Sequence, residues 1–449
     1  MACRASSGAA AIPRHLPARY GLPKTACRAI SAPRRIEPIF KEKAVSDKNR
    51  VIISGGGPVG LICALSLARS GVPVTVLERF ASLQEDPRAA TTHPATLEML
   101  GALGLEEDLR AAGLVAPIFQ FWDRPSGEMV AEFDHALIAD ETAYPYVVQC
   151  EQFKTAQIVL RHLRNEPMAE VLFDHEVVSF VSHDDRVEVT VKTPDGQRLF
   201  EGRYLVGADG ARSAVRKGAN IEFEGFTWAE QFLVLTTPFD FEASRGYCFR
   251  SYFADPEEWC NCFKVAADGP PGLWRTVFPT SPDQTEAELL SDEAVHARLE
   301  RFFPKDGGYE IVHRNLYRVH QRVAKTFRQG RILLAGDASH VNNPIGGMGL
   351  NGGIQDAVNL ADKLARVWHG ASDTLLDLYD LQRRTLTVDF VQAQTIQNKK
   401  RLEAKDPETR RANLDEMRRI AADPVSAKAY LMRASMLEAN RKATALQAA

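Results

Sequence analysis

The residues best placed to do chemistry lie in three glycine-rich stretches, each joined to an acidic residue. They are Gly55-Gly56-Gly57-Pro58-Val59-Gly60 with Glu78 further on, Gly207-Ala208-Asp209-Gly210, and Gly336-Asp337-Ala338 followed by Pro344 to Asn351. Backbone N–H groups at a helix start bind phosphate, and a carboxylate accepts from sugar hydroxyls, so this combination suits a dinucleotide. In Gly55-x-Gly57-x-x-Gly60 the first glycine allows a tight turn. The second lets the backbone approach a pyrophosphate, and the third lets the helix pack closely on the strand before it. Glu78 closes the next strand at the distance expected of an acid that bonds ribose hydroxyls.

That fingerprint alone does not separate a nicotinamide from a flavin; the late stretch does. A carboxylate follows a buried strand in Gly336-Asp337, and Asn342 to Asn351 then leads into a helix expected over Gly353 to Val367. The N–H groups at that helix start present partial positive charge, suited to the anionic edge of a reduced isoalloxazine. The chain therefore reads as a flavin enzyme. With no second dinucleotide fingerprint, a nicotinamide donor would visit rather than stay.

The elements that must hold these stretches follow from periodicity. Val51 to Ser54, the glycine turn, a helix over Pro58 to Ser70 and the strand Val74 to Leu77 form one βαβ unit. Helices are expected over Pro94 to Leu100, Glu106 to Ala112 and Gln152 to Arg164, and residues 171 to 206 alternate as a β-meander with a turn at Pro194-Asp195-Gly196. Phe232 to Phe239, Tyr247 to Phe253, Cys260 to Val265 and Leu273 to Phe278 suggest a second, antiparallel sheet. The fold class is α/β, a Rossmann-like FAD-binding domain with an antiparallel substrate domain and a helical C-terminal region. The FAD-binding parts are expected at 47–125, 149–228 and 313–368, with substrate-side segments at 126–148 and 229–312 and C-terminal helices over 369–449.

Composition limits the partners. The 449 residues are 45% hydrophobic and 25% charged with a formal net charge of -3, which gives no general attraction to nucleic acid or anionic membranes. The uncharged run from Val51 to Ala68 is long enough to resemble a membrane span, but its glycines mark a strand, loop and helix instead. Seven cysteines show neither C-x-x-C nor zinc-ligand spacing, which fits a reducing, cytoplasmic compartment; Cys260 and Cys262 would share one strand face as packed thiols. Residues 1–46 are rich in Ala, Arg, Ser and Pro, the composition of an organellar transit segment or of a disordered leader.

On these motifs, residues 50 to about 400 resemble the class A flavoprotein monooxygenases, the aromatic hydroxylases of the p-hydroxybenzoate hydroxylase fold. The stretch from Arg328-Gln329-Gly330-Arg331 to Asp356-Ala357 is similar to the phenol and 3-hydroxyphenylpropionate hydroxylase branch. The resemblance implies FAD held by Gly55, Gly57, Pro58, Gly60, Glu78 and Arg79, with Arg88 reaching toward the flavin and Gln149 meeting the ribityl chain or pyrophosphate. It implies that Asp209 and Gly210 organise the pyrophosphate region, and Asp209 with Arg212 the donor's approach. Asp337 would hold the ribityl hydroxyls and Gly347 to Asn351, with Gly349 and Leu350, the pyrimidine edge, while Gly336 and Gly346 also count among the cofactor-binding residues. Pro344 and Gly347 would lie in the flavin and oxygen environment. In place of the thioredoxin-like domain of some larger phenol hydroxylases, a charged tail patterned as helices runs from Lys400.

The implied reaction is NAD(P)H reduction of FAD, addition of O2 at the flavin C4a, and transfer of the hydroperoxide's distal oxygen to a phenol-like ring. The partners are a small aromatic substrate, O2 and NAD(P)H, and a homodimer is compatible with this reading. The base is unassigned: His93, Arg250, Tyr247, Tyr252 and Trp274 could each face the ring, with Tyr247, Tyr252 and Trp274 the substrate candidates. The five tryptophans lack the spacing of a flavin-dependent halogenase, and a disulfide reductase's cysteine pair is missing. A same-fold oxidoreductase for a non-phenolic substrate, or a flavin-binding protein without turnover, is the alternative.

Overall fold

Val51–Ser54, Val74–Leu77, Tyr204–Gly207 and Ile332–Leu334 are apolar without alternation, and each is buried along its length. Strands covered on both faces have this pattern. In the computed structural model, which describes residues 48–85 and 89–447, they lie side by side and parallel. Ala169–Leu172 extends one edge in parallel and Arg328–Gln329 the other in antiparallel. The helices Pro58–Arg69 and Met348–Trp368 pack against each other over this sheet's core, and Gln152–Leu163 packs on the first of them. Among the described residues no helix is long and apolar enough to cross a membrane.

The second sheet has eight strands, in the order His340–Val341, His313–Ala324, Phe223–Thr237, Leu273–Pro279, Cys260–Val265, Arg250–Ala254, Ile118–Asp123 and Glu128–Asp134. Side chains on successive positions take opposite faces of a strand, and here the alternation separates two cores. Phe232, Ala254 and Val277 join Phe119, Phe133, Ile345 and Met348 on one side. Leu233, Phe253, Cys260, Cys262, Trp274 and Phe278 join Val295, Leu299 and Phe302 of the helix Asp292–Phe302 on the other. Cys260 and Cys262 are free, fully packed thiols whose burial pushes them up, as their shared face leads one to expect. The tail helices Pro407–Ala422, Pro424–Ala434 and Leu437–Ala445 close the first side with Leu414, Met417, Leu431 and Leu437. Each such side chain contributes about 1.5–3 kcal/mol on full burial, which docks helices whose other faces are polar.

Several expected boundaries move. The late helix begins at Met348, not Gly353, because its glycines serve close packing rather than breaking the helix. A Cβ on Gly353 would lie 2.8 Å from Val59 Cγ2 and 3.1 Å from Gly336 Cα. The meander is confined to Glu176–Ser182, Val187–Thr193 and Gly196–Gly202, and its flanks belong to the parallel sheet. Ile118–Asp123 belongs to the eight-stranded sheet, so the first excursion starts before residue 126. Phe223–Thr237 runs unbroken across the expected junction at 228 and 229, pairing along His313–Ala324 on both sides of a bulge between Thr227 and Gln231. Residues 1–46 fall outside the described residues.

Candidate functional site

Parallel pairing aligns the C-terminal ends of the central strands: Ser54 lies opposite Gly207, and Gly207 opposite Leu334. The three glycine stretches follow directly from these ends, and glycine is what allows them to touch. Gly55 has φ +112°, and a Cβ there would lie 2.3 Å from the Ala208 carbonyl oxygen. A Cβ on Gly60 would lie 2.0 Å from the Gly55 oxygen, and one on Gly336 (φ +63°) 3.0 Å from Val59 Cγ2. Gly57 differs: no atom comes within 4 Å of where its Cβ would sit, so its backbone borders open space at the start of Pro58–Arg69.

Around that opening the expected cofactor residues take definite places. Glu78 accepts from the N–H of Gly56 at 2.6 Å and of Phe80 at 3.0 Å, so the carboxylate sits on the glycine turn. Arg79 is exposed with its guanidinium over the Phe80 ring; Arg88 lies outside the described residues. Gln149 is fully buried at the end of Val147–Gln149, where Oε1 accepts from Thr91 Oγ1 at 2.9 Å and Nε2 has no partner. Asp209 accepts from the N–H groups of Ala214 and Val215, while its other oxygen is buried and unpaired. Burial raises its pKa against those hydrogen bonds. Gly210 adopts φ +81° beside open space. Asp337 is exposed between buried Gly336 and Ala338.

The helix Met348–Trp368 starts from Gly347 at φ +70° with no side-chain cap and no acid in its first turn. Its first N–H groups, with Gly349 and Leu350 among them, therefore carry uncompensated positive charge. Fully buried Asn351 fixes this corner. Its Nδ2 donates to the Gly347 and Thr91 carbonyls at 2.6 and 2.8 Å, and its Oδ1 accepts from His93 N–H at 2.8 Å. Gly346 is buried against Asn398, and Pro344 is exposed at the loop's edge. Open space at Gly57, an unsatisfied Gln149 amide, an exposed carboxylate at Asp337 and an uncapped helix start are the donor and acceptor set FAD requires, so these residues fit it. Arg216, which carried no role in the sequence reading, locks two of the loops together. It donates to the carbonyls of Ala211 and Ala338, both at 2.9 Å, over the Phe223 ring.

Strand faces separate the three substrate candidates. Tyr252 lies on the side that contains Ile345 and Met348; Tyr247 and Trp274 belong to the opposite core, packed among Phe241, Phe253 and Phe302. Tyr252 and Trp274 lie in the expected sheet, where the alternation turns Trp274 away from the glycine loops; the strand expected over Tyr247 to Phe253 begins only at Arg250, so Tyr247 precedes it and packs into the opposite core. On the Tyr252 side Arg250 is buried, its Nε donating to Tyr252 Oη at 3.1 Å and its guanidinium 5.2 Å from the Phe119 ring centroid. Arg250 Nη1 is buried without a hydrogen-bond partner among the described residues. His93 donates from Nε2 to the Gly346 carbonyl at 2.7 Å, which leaves Nδ1 a buried, unpaired acceptor. Burial and then Arg250 hold His93 well below the ordinary histidine range. His135, Phe133 and Tyr430 complete the wall, Tyr430 from the tail stacking on Phe133 at 4.7 Å. No local sequence signal marks these three: Phe133 and His135 meet Phe119 through the pairing of Ile118–Asp123 with Glu128–Asp134, and Tyr430 joins them through the tail's docking.

His135 gives the site a pH signature. Burial, then the Arg250 charge, pushes it down to about 4, while Nδ1–H donates to the Pro117 carbonyl at 2.6 Å. A histidine held neutral in the fold takes up a proton on unfolding, so its contribution is full above about pH 6.5 and is lost as pH falls toward 4. The shift corresponds to about 3 kcal/mol. Thermal unfolding followed across this window should show Tm falling with acidification, less steeply in His135→Gln; equal slopes in both proteins would remove His135 as the cause.

Comparison with known proteins agrees with this geometry. Residues 48–394 match the FAD binding domain family. The chain is 36% identical over 368 residues to para-nitrophenol 4-monooxygenase of Pseudomonas sp. (strain WBC-3), covering 80% of this chain and 89% of that one. It is 35% identical to 6-hydroxy-3-succinoylpyridine 3-monooxygenase of Pseudomonas putida, covering 81% and 91%. The crystal structure of p-nitrophenol 4-monooxygenase from Pseudomonas putida DLL-E4 superposes with a TM-score of 0.82 at 33% identity, over 87% of this chain and 98% of that one. Loops built to hold FAD, a sheet that roofs them and relatives that oxygenate hydroxylated rings together place the chain in the class A FAD-dependent aromatic hydroxylases, as a flavoprotein monooxygenase.

Proposed function

We propose that this enzyme hydroxylates a phenol-like ring para to its hydroxyl group, using O2 and a transient NAD(P)H donor, with the ring oxygen held as phenolate against Arg250. The observation that carries this reading is the buried, unpaired Nη1 of Arg250, on the same side of the sheet as the flavin-loop residues Ile345 and Met348. A buried cation without a carboxylate is costly unless an anion completes it. Nearby His93 is held neutral and so does not compete for that anion. The two relatives' names support the site of attack: C4 of para-nitrophenol and C3 of 6-hydroxy-3-succinoylpyridine each lie para to the ring hydroxyl, and each already bears the substituent that oxygen insertion there has to displace.

Bound FAD, once reduced, supplies O2 activation and oxygen transfer. The protein's part is orientation, charge and dryness. Arg250 stabilises the ionised ring oxygen, which makes the para carbon a better nucleophile, and Tyr252 holds the guanidinium in place. His93 Nδ1, a buried acceptor without a partner, is available to take a hydrogen bond from the substrate's hydroxyl group. Phe119, Phe133 and Tyr430 exclude water from the oxygen-transfer step. For the donor, Arg318, His320 and Arg322 alternate along one face of His313–Ala324 near Arg212. Burial first, then these arginines, lower His320, and such a strip suits the phosphates of a nicotinamide dinucleotide.

FAD-loaded protein mixed with NAD(P)H and a panel of phenols, hydroxypyridines and non-hydroxylated rings tests the reading. Phenols should accelerate NAD(P)H consumption with a para-dihydroxylated product in near-stoichiometric yield. Stimulation by rings without a hydroxyl, or peroxide release in place of product, would contradict it.

A further inference from the structure

We propose that the buried carboxylate of Asp356 is a positioning residue for the flavin, setting how Asp337 and the start of Met348–Trp368 meet it. Asp356 is fully buried within that helix. Its Oδ2 accepts from Gly336 N–H at 3.0 Å and from His340 Nε2 at 2.8 Å; its Oδ1 accepts from Arg383 Nε at 2.7 Å. One carboxylate thus grips both ends of the turn 336–340, and Asp337 is the exposed side chain between them. The Gly336 carbonyl is held in turn by Ser339, through both Oγ and N–H at 2.8 Å.

Arg383, also buried, ties the same carboxylate to Thr374–Leu386 and donates from Nη2 to Gly352 O at 3.2 Å and Gln355 Oε1 at 3.4 Å. His340 comes so close to the helix that a Cβ on Gly352 would lie 3.0 Å from its Cε1. Burial would raise Asp356, but the charges of and hydrogen bonds from His340 and Arg383 hold it below the usual carboxylate range. The ribityl-facing turn and the pyrimidine-facing helix start, which lie on separate chain segments, therefore share one rigid reference point. A fixed geometry of this kind is what keeps binding groups within the tolerance a cofactor demands.

Asp356→Leu combined with Arg383→Met removes the clamp without leaving an unpaired buried charge, an exchange that buried ion pairs often tolerate. The readouts are FAD release, followed by the rise in free-flavin fluorescence on dilution, and hydrogen exchange of the 336–341 peptide in FAD-loaded protein. Release should be about tenfold faster or more, with faster exchange at that peptide and unfolding midpoints close to wild type. Release and exchange within twofold of wild type in the folded double variant would overturn the proposal. Two measurements serve if the double variant does not fold. His340→Gln, which keeps a donor, should release FAD more slowly than His340→Ala, and the Gly336 amide of the wild-type holoenzyme should be among its slowest to exchange. Equal release from both variants, or a fast Gly336 amide, would each overturn it.

Discussion

Arg250→Met should retain FAD yet lose kcat/KM for a phenolic substrate by about 30- to several-thousand-fold. That range corresponds to about 2–5 kcal/mol for removing one partner of a buried, hydrogen-bonded charge interaction. The loss should be smallest for substrates that do not ionise, because they never completed the pair. Arg250→Lys keeps the charge but not the fork that reaches both Tyr252 Oη and the substrate oxygen, so it should recover only part of the activity. The variant has a second signature. Arg250 is one of the groups that lower both His93 and His135, so its removal should move the acid-labile window of stability to lower amplitude. Steady-state kinetics with flavin content measured on the same samples separates these effects; an unchanged kcat/KM would place the substrate elsewhere.

Gly57→Val and Gly55→Ala should fail in different ways, although both disturb the same loop. Gly57 has φ −73° and ψ 176°, extended backbone open to any residue, and its side chain would enter empty space. The variant should fold with a near-wild-type unfolding midpoint while its FAD affinity falls on the order of 100-fold, about 2.7 kcal/mol. Gly55 sits at φ +112° with a would-be Cβ 2.3 Å from the Ala208 oxygen. Alanine there strains the backbone by roughly 1–3 kcal/mol and forces Ala208 aside at similar cost, so Tm should fall before FAD is added. Thermal melts of flavin-free protein beside FAD titrations distinguish the outcomes; a destabilised Gly57→Val would mean that the opening is not a cofactor cleft.

Much of the cofactor half is readable from residue order, because its determinants are local. A strand, a glycine turn and a helix stand in sequence at Val51 to Arg69, and Val74–Leu77 falls where its unbroken apolar run places it. The start of the late helix is not legible in the sequence, because what Gly352 and Gly353 accommodate, His340 and Val59, comes from distant segments. The substrate half depends on parity along strands. Tyr252 and Trp274 are equally aromatic and equally strand-like, and only the register between Arg250–Ala254, Cys260–Val265 and Leu273–Pro279 reveals that they face opposite ways. Tyr430, His135 and Phe119 meet across about 300 residues of chain, a contact that no local period encodes. The Asp356, His340 and Arg383 cluster is hidden for the same reason, with its members on a short strand and two helices.

A crystal structure of the FAD-loaded enzyme with a bound phenol tests the central claim most directly. The flavin should cross the three glycine loops, its pyrimidine edge at Gly347 to Asn351, with the ring oxygen within hydrogen-bond distance of Arg250 Nη1 and the para carbon turned to the flavin. A phenol seated instead in the opposite core beside Tyr247 and Trp274, or a flavin that misses any of the three loops, would contradict it.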